Sequence, residues 1–231
     1  SGLARRLSRT WDAIQTRGNL DISYDVANQG GLKSFTIARR TMNREFTVCG
    51  VRYRFPGEID WKHNPTYNNY REWPWQFARM RFLPDLATYY RKTGDEKAAQ
   101  TFVGIVGGFV DTALPPPPGT SHGATKSWRT LDTGLRATRW VDSYFAFTNS
   151  PALTADFRAK FLRSLEDHLR RLEKPMTSNN WRIMELRGLV DITLAFPFVA
   201  RAEERRAAAE RELADLLKKQ LYPDGFQFEL S

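Results

Sequence analysis

From residue 72 to residue 221 the apolar residues recur at three- and four-residue spacing, and proline or glycine interrupts them at short intervals. That pattern restricts the chain to a series of amphipathic helices of similar length joined by short loops. Trp73, Phe77 and Met80 begin it, and Pro84 marks a kink or a fresh start. Thr93-Gly94-Asp95 reads as a helix stop followed by an N-cap. Phe102, Ile105, Val106, Phe109 and Val110 form one stripe, ended by Pro115 to Pro118. After a Gly/Ser/Thr loop at 119–127, Trp128, Leu131 and Leu135 open the next helix. Ser150-Pro151 predicts a cap and first-turn pair for a helix carrying Phe157, Phe161, Leu165, Leu169 and Leu172. A loop at 174–178 precedes a mostly apolar helix with Ile183, Leu186, Leu189, Val190 and Phe196, limited by Pro197. Ala209, Leu213, Leu216 and Leu217 define the last one. About six such helices pack as antiparallel hairpins, side by side. Periodicity alone leaves bundle, barrel and open toroid as alternatives.

The ends are patterned differently. Residues 1–34 are polar, with a helix expected near Leu3–Thr16 and then a loop broken at Gly30-Gly31. Val51, Tyr53 and Phe55 alternate with Arg52 and Arg54, which predicts a short strand ended by Pro56-Gly57. Near the other end Pro223-Asp224-Gly225 is a turn and Phe226-Gln227-Phe228 alternates briefly. The expected class is all-α, with short extended segments near the N-terminus and at the C-terminal end. Residues 1–56 form an arm that belongs to the same domain as the helical part, 57–231.

Charge narrows the partners. Lys and Arg number 35 against 26 acidic residues, a net +9, and such a surface attracts polyanions. Nucleic acid, anionic lipid and acidic polysaccharide all carry the right sign, but the basic residues are spread along the chain and no nucleic-acid motif is present. A mildly basic solvated surface explains the same balance. No apolar run reaches the ~18 residues of a membrane span. Cys49 is the single cysteine, so neither an internal disulfide nor a cysteine metal site can form. His63, His122 and His168 lack the spacing of a metal triad, and His168, among charged residues, is expected to be exposed. No metal or other cofactor is expected in this chain. The seven Trp are either core residues or platforms for sugar rings.

Several segments resemble a known family when taken in order: EIDWKHNP from Glu58 to Pro65, REWPWQFAR from Arg71 to Arg79, and YRKTGDE from Tyr90 to Glu96. WRTLDTGLR follows from Trp128 to Arg136, then SNNWRIME from Ser178 to Glu185 and QLYPDGFQFELS from Gln220 to Ser231. This set resembles the N-terminal domain of heparinase II/III-type polysaccharide lyases, which include heparan sulfate and some alginate lyases. The resemblance implies an incomplete (α/α) toroid followed by a β-sandwich that this chain does not contain. It also implies a periplasmic or secreted bacterial enzyme acting on a glycosaminoglycan or alginate, with the sugar held between the two parts. Asn180-Trp181, where other members have Asn-His, favours a heparan sulfate-like chain over alginate.

Such enzymes cleave uronate chains by β-elimination: a base takes the C5 proton and the C4 oxygen leaves. The neighbouring carboxylate resists the developing charge, so fixed hydrogen-bond donors must neutralise it. The resemblance assigns that role to Asn180, whose amide offers two N–H donors. Asn179 is expected to cap the helix beginning at Trp181. The family's catalytic Tyr follows the Asp-Gly…Glu…Ser motif, so the expectation is a base beyond Ser231, a partner His in the missing sandwich, and little activity from this chain alone. Trp128, Arg129, Arg136 and Trp181 are expected to line the cleft, Glu185 to orient Arg182 or Asn180, and Arg71, Trp73 and Gln76 to reach its mouth. Gln227 and Glu229, and His63 in its family-like segment, are further candidates.

Other readings stand beside this one. An (α/α) barrel glycoside hydrolase would need two facing carboxylates, for which Asp132 and Glu185 are the available pair. A non-catalytic glycan-binding module would need only the grip. A basic helical scaffold for nucleic acid would need a continuous Lys/Arg face.

Overall fold

A computed structural model of the 231-residue chain describes residues 31–220. The expected helix at Leu3–Thr16, the turn and extended segment after residue 221, and the candidates Gln227 and Glu229 lie outside the described residues. Contacts divide the chain into two units, residues 1–31 and 32–231, and the helical array belongs to the second.

The described elements run α1 (Gly31–Met42), β1 (Glu45–Val48), β2 (Val51–Arg54), α2 (Glu72–Phe77), α3 (Leu83–Thr93), α4 (Glu96–Thr112), α5 (Thr130–Tyr144), α6 (Ala155–Glu173), α7 (Asn179–Ala195) and α8 (Ala202–Gln220). The alternating segment is the second strand of an antiparallel hairpin, Glu45 opposite Arg54 and Val48 opposite Val51. Cys49 and Gly50 both have positive φ, as a two-residue hairpin turn requires. Helix α1 begins inside the stretch read as a loop. Its fully buried residues are Ser34, Ala38 and Thr41, small and mostly polar, while its larger apolar residues Phe35, Ile37 and Met42 pack only partly buried against the core. Ser34 instead donates to Asp85 at 2.6 Å.

The main helical boundaries follow local chemistry. Pro84 sits in the first turn of α3, a fresh start. Gly94 ends that helix in the left-handed conformation, and the Asp95 carboxylate accepts from the Lys97 amide to cap α4. Ser150-Pro151 does not cap α6: Thr154 does, accepting from the Phe157 amide, while Ser150 donates to Glu96 at 2.5 Å. Ser150 is therefore spent on a contact between hairpins, which sequence spacing does not reveal.

Contacts fix the helix directions. Arg136 on α5 meets His168 on α6, and Tyr144 meets Phe161, so these two run antiparallel. Arg129 meets Trp181, Gly134 meets Gly188, and Thr138 meets Asp191, so α5 and α7 run parallel. Consecutive helices reverse and alternate ones align, the array of hairpins expected. The core is a continuous aromatic file. Trp61 stacks on Phe77 and abuts Phe109, Phe109 meets Trp140, and Trp140 stacks on Phe161.

The contact between α5 and α7 is closer than side chains permit. A Cβ on Gly188 would lie 2.4 Å from the Gly134 carbonyl oxygen, and one on Gly134 would lie 2.6 Å from that of Met184. Two backbones touch here, and glycine on both sides is the requirement. The contact sets the N-termini of α5 and α7 side by side.

Candidate functional site

Around those two N-termini the polar residues converge. Arg129 precedes α5 and is 2% exposed, yet its guanidinium is fully engaged in the plane. Nε donates to Asp132 at 2.6 Å, and Nη1 donates to Glu72 at 2.8 Å. Arg79 donates to the other Asp132 oxygen. The same guanidinium lies over the ring of Trp75, at 4.0 Å, and over that of Trp181, at 5.4 Å. Burial opposes ionisation of Glu72, but the bond from Arg129, its charge and a bond from Gln76 outweigh it and hold the carboxyl below its usual range. Burial likewise opposes the Arg129 charge, and the bonds to Asp132 and Glu72 reverse that and hold it protonated more firmly than usual.

Trp61, Trp73, Trp128 and Trp140 are core residues, whereas Trp75 is half-buried and Trp181 is 37% exposed. Among the described tryptophans, the two outside the core are the two that flank Arg129. Arg71 extends over Trp75 at 5.0 Å and is exposed. The 119–127 loop closes another side. Arg171 donates to the carbonyls of Thr120 and Ser121, and Trp75 Nε1 to that of Thr125, so both ends of the loop are tied. That places the His122 ring edge-on to Trp181 at 5.9 Å.

Asn180 stands half-exposed at the start of α7, next to Trp181. Asn179 is not the cap. Ser178 occupies that position without a side-chain bond to the helix, and Asn179 has φ 54°, the left-handed conformation that Asn tolerates better than most. The first turn of α7 contains no acidic residue. Its amides thus present the positive end of a helix beside Arg129, an arrangement that favours an anion.

A family model described as Heparinase II/III N-terminus matches residues 17–231. The chain belongs to the heparinase II/III family. This heparinase II/III domain is 32% identical over 176 residues to a heparin-sulfate lyase of Pedobacter heparinus, covering 75% of this chain and 26% of that protein. A heparin-sulfate lyase of Bacteroides stercoris is 26% identical over 201 residues, 77% of this chain and 29% of the relative. The crystal structure of heparan sulfate lyase HepC from Pedobacter heparinus superposes with a TM-score of 0.74 at 26% identity, covering 86% of this chain and 31% of that one. A heparinase III structure at 20% identity has a TM-score of 0.75, covers 87% and 32% of the two chains, and agrees in fold. The chain spans between a quarter and a third of the length of these relatives.

In this heparinase II/III domain the predicted site residues divide. Arg129, Trp181, Asn180, Asn179 and Arg71 gather at the α5 and α7 N-termini, and Gln76 joins through Glu72. Trp128 and Arg136 do not line the surface. Trp128 is 2% exposed, and its indole donates to the Ala113 carbonyl. Arg136 is wholly buried between the rings of Phe109 and Trp128, donating to the carbonyls of Ala78 and Ser127. Burial lowers its pKa to about 9. Trp73 is also core, and His63 packs on Tyr53 of β2 at 4.5 Å. His168, expected outside, is 0% exposed and accepts from Arg136 at 2.9 Å. Charged neighbours in sequence misled here because every fourth residue of an amphipathic helix faces inward.

Glu185 bonds Arg182 at 3.3 Å and Thr177 at 2.8 Å, and Arg182 also holds Glu212 of α8. Asp132 and Glu185 are both 0% exposed and committed to arginines, which removes the support for a hydrolase pair. Trp75, Glu72 and His122 are the residues that spacing missed. Two of them were in view in the REWPWQFAR segment, where alternate positions 71, 73 and 75 cannot all share one helical face.

Proposed function

We propose that this domain grips a uronate-containing acidic polysaccharide, a heparan sulfate-like chain above others, for cleavage by β-elimination. Arg129, locked by Glu72 and Asp132 and flanked by Trp75 and Trp181 beside Asn180, is the observation that carries the reading. An arginine whose bonds and rotamer are already set loses little entropy when a ligand arrives. Trp181 and Trp75 offer apolar faces to sugar rings, and Arg71 offers an exposed charge to sulfate or carboxylate.

Asn180 donates its amide hydrogens to the C5 carboxylate as the proton leaves, aided by the uncapped first turn of α7. The proton acceptor is assigned to no residue of this chain; in the family it is a Tyr, and the sandwich expected to complete the cleft is the implied partner. An extracytoplasmic location belongs to the same reading. In the complete enzyme, Asn180→Ala should lower kcat about 100-fold with KM little changed, consistent with loss of one oxyanion-type donor. Ultraviolet absorbance of the unsaturated uronate product measures it. Wild-type-like turnover by Asn180→Ala would sink the assignment. Binding of heparan sulfate with no product from the complete enzyme would favour a non-catalytic glycan module.

A further inference from the structure

Beyond the site at Arg129 the inner helices carry a second group of charges that the proposed chemistry does not use. Arg139 on α5 is half-buried, and its one hydrogen bond among the described residues goes to the Leu135 carbonyl of its own helix, at 2.5 Å. It forms no ion pair with a described residue. Around it stand Arg79, Arg81 and Arg187, all opposing its charge, with Asp142 favouring it. Burial, followed by these arginines, brings its pKa down to about 10.

The acids nearby are poorly placed to compensate. Asp191 accepts from Thr138 at 2.7 Å and lies 3.7 Å from Arg187, so it is already engaged. Asp142 is itself pushed up to about 6 by burial and by Asp191, against the pull of Arg187, Arg139 and Arg91. Arg91, Arg139 and Arg187 thus share Asp142, Arg187 also holds Asp191, and Arg81 adds its positive charge at Arg139. A half-buried cation without a close counter-ion is costly to a fold, and an incoming anion relieves that cost.

The group is continuous with the first site. Arg79 touches Asp132 on one side and acts on Arg139 on the other. Arg81 is exposed and also lines a cleft of about 570 Å³ with Arg40, Arg52 and Gln76. Ten residues of α5 separate Arg129 from Arg139, about 15 Å along the helix axis.

We propose that Arg81, Arg139 and Arg187 form a second oxyanion subsite, taking a sulfate or carboxylate group from the chain held at Arg129. The existence of the subsite is independent of the lyase reading; the polysaccharide as source of the oxyanion rests on it. The test uses Arg139→Met and Arg139→Gln in the 231-residue chain. Melting temperature is measured with sulfate replacing chloride at constant ionic strength, since sulfate also stabilises proteins generally and only the difference between variants reports the site. Wild type should gain more from sulfate than either variant. In the absence of sulfate Arg139→Met should melt no lower than wild type, because an apolar side chain of similar size replaces an uncompensated charge.

Acidic oligosaccharides supply the second arm. A short one that fills only the Arg129 site should bind wild type and variants alike. A longer one should lose about tenfold in affinity in Arg139→Met, the scale of one charged hydrogen-bonding contact. Equal sulfate responses in wild type and both variants, or a lower sulfate-free melting temperature in Arg139→Met, would overturn the subsite. Equal gains from lengthening would overturn the polysaccharide as its ligand. Failure of the lyase reading looks different: no acidic oligosaccharide binds while the sulfate response persists.

Discussion

At the scale of single residues the interior holds more charge than a core normally does. His168 shows what that costs. Its Nε2 accepts from Arg136, and Nδ1 faces the Ser164 carbonyl at 2.6 Å, so the ring is neutral with its proton on Nδ1. Burial first, and the Arg136 charge second, keep its pKa well below 6.5. The unfolded chain takes up this proton below about pH 6.5 while the folded one does not, so acidification destabilises by up to about 1.4 kcal/mol per pH unit. Asp142 acts in the opposite sense. Its raised folded-state pKa of about 6 means the folded chain holds the proton more tightly between ordinary carboxylate values and pH 6. Urea titrations between pH 7.5 and 5 should therefore show a flatter acid limb in His168→Gln than in wild type. Identical limbs would mean that His168 does not control it. Arg129→Met should cost on the order of 3 kcal/mol, because Asp132 stays buried with Arg79 as its remaining cation. The loss of Tm in that variant should far exceed that in Arg71→Met, an exposed arginine.

At the scale of elements the decisive contact is the crossing of α5 and α7. Gly134→Ala and Gly188→Ala should each destabilise by about 1–3 kcal/mol, since the new methyl meets backbone that cannot rotate away. On the proposed reading both should also weaken glycan binding, because the crossing sets Arg129 near Trp181. Gly104 on α4 is the matched control. A Cβ there meets nothing, so Gly104→Ala should stabilise by roughly 0.5–1 kcal/mol through helix propensity. Calorimetry of the three variants separates crowding from propensity. Most of the helices were legible in the sequence because each one from α3 onward carries an apolar pattern, a proline or glycine stop, or both. Helix α1 was not, since its fully buried residues are the small Ser34, Ala38 and Thr41, and its larger apolar residues Phe35, Ile37 and Met42 are only partly buried. The glycine crossing was invisible for a related reason. A glycine inside a helix reads as a weak position until the partner backbone is known to touch it.

At the scale of the whole molecule the excess of basic groups acts through long-range attraction and local sites together. On the proposed reading, binding of heparan sulfate should weaken markedly as salt rises, because exposed arginines such as Arg71 are screened. The locked Arg129 should retain part of its contribution, as a buried charge is screened less. Titrations at low and high salt in wild type and Arg71→Met test this, and a salt slope unchanged by Arg71→Met would remove that residue from the grip. By itself the sequence determined the helical class, several helix stops and, through ordered motifs, the family, because these depend on spacing along one chain. It also brought Arg129, Asn180 and Trp181 into view. Only the tertiary structure decided which charged residues work at the surface and which support it from within. Trp128, Arg136 and His168 lie inside, while Trp75 meets Arg129 and His122 meets Trp181, because burial is set by contacts between residues distant in sequence.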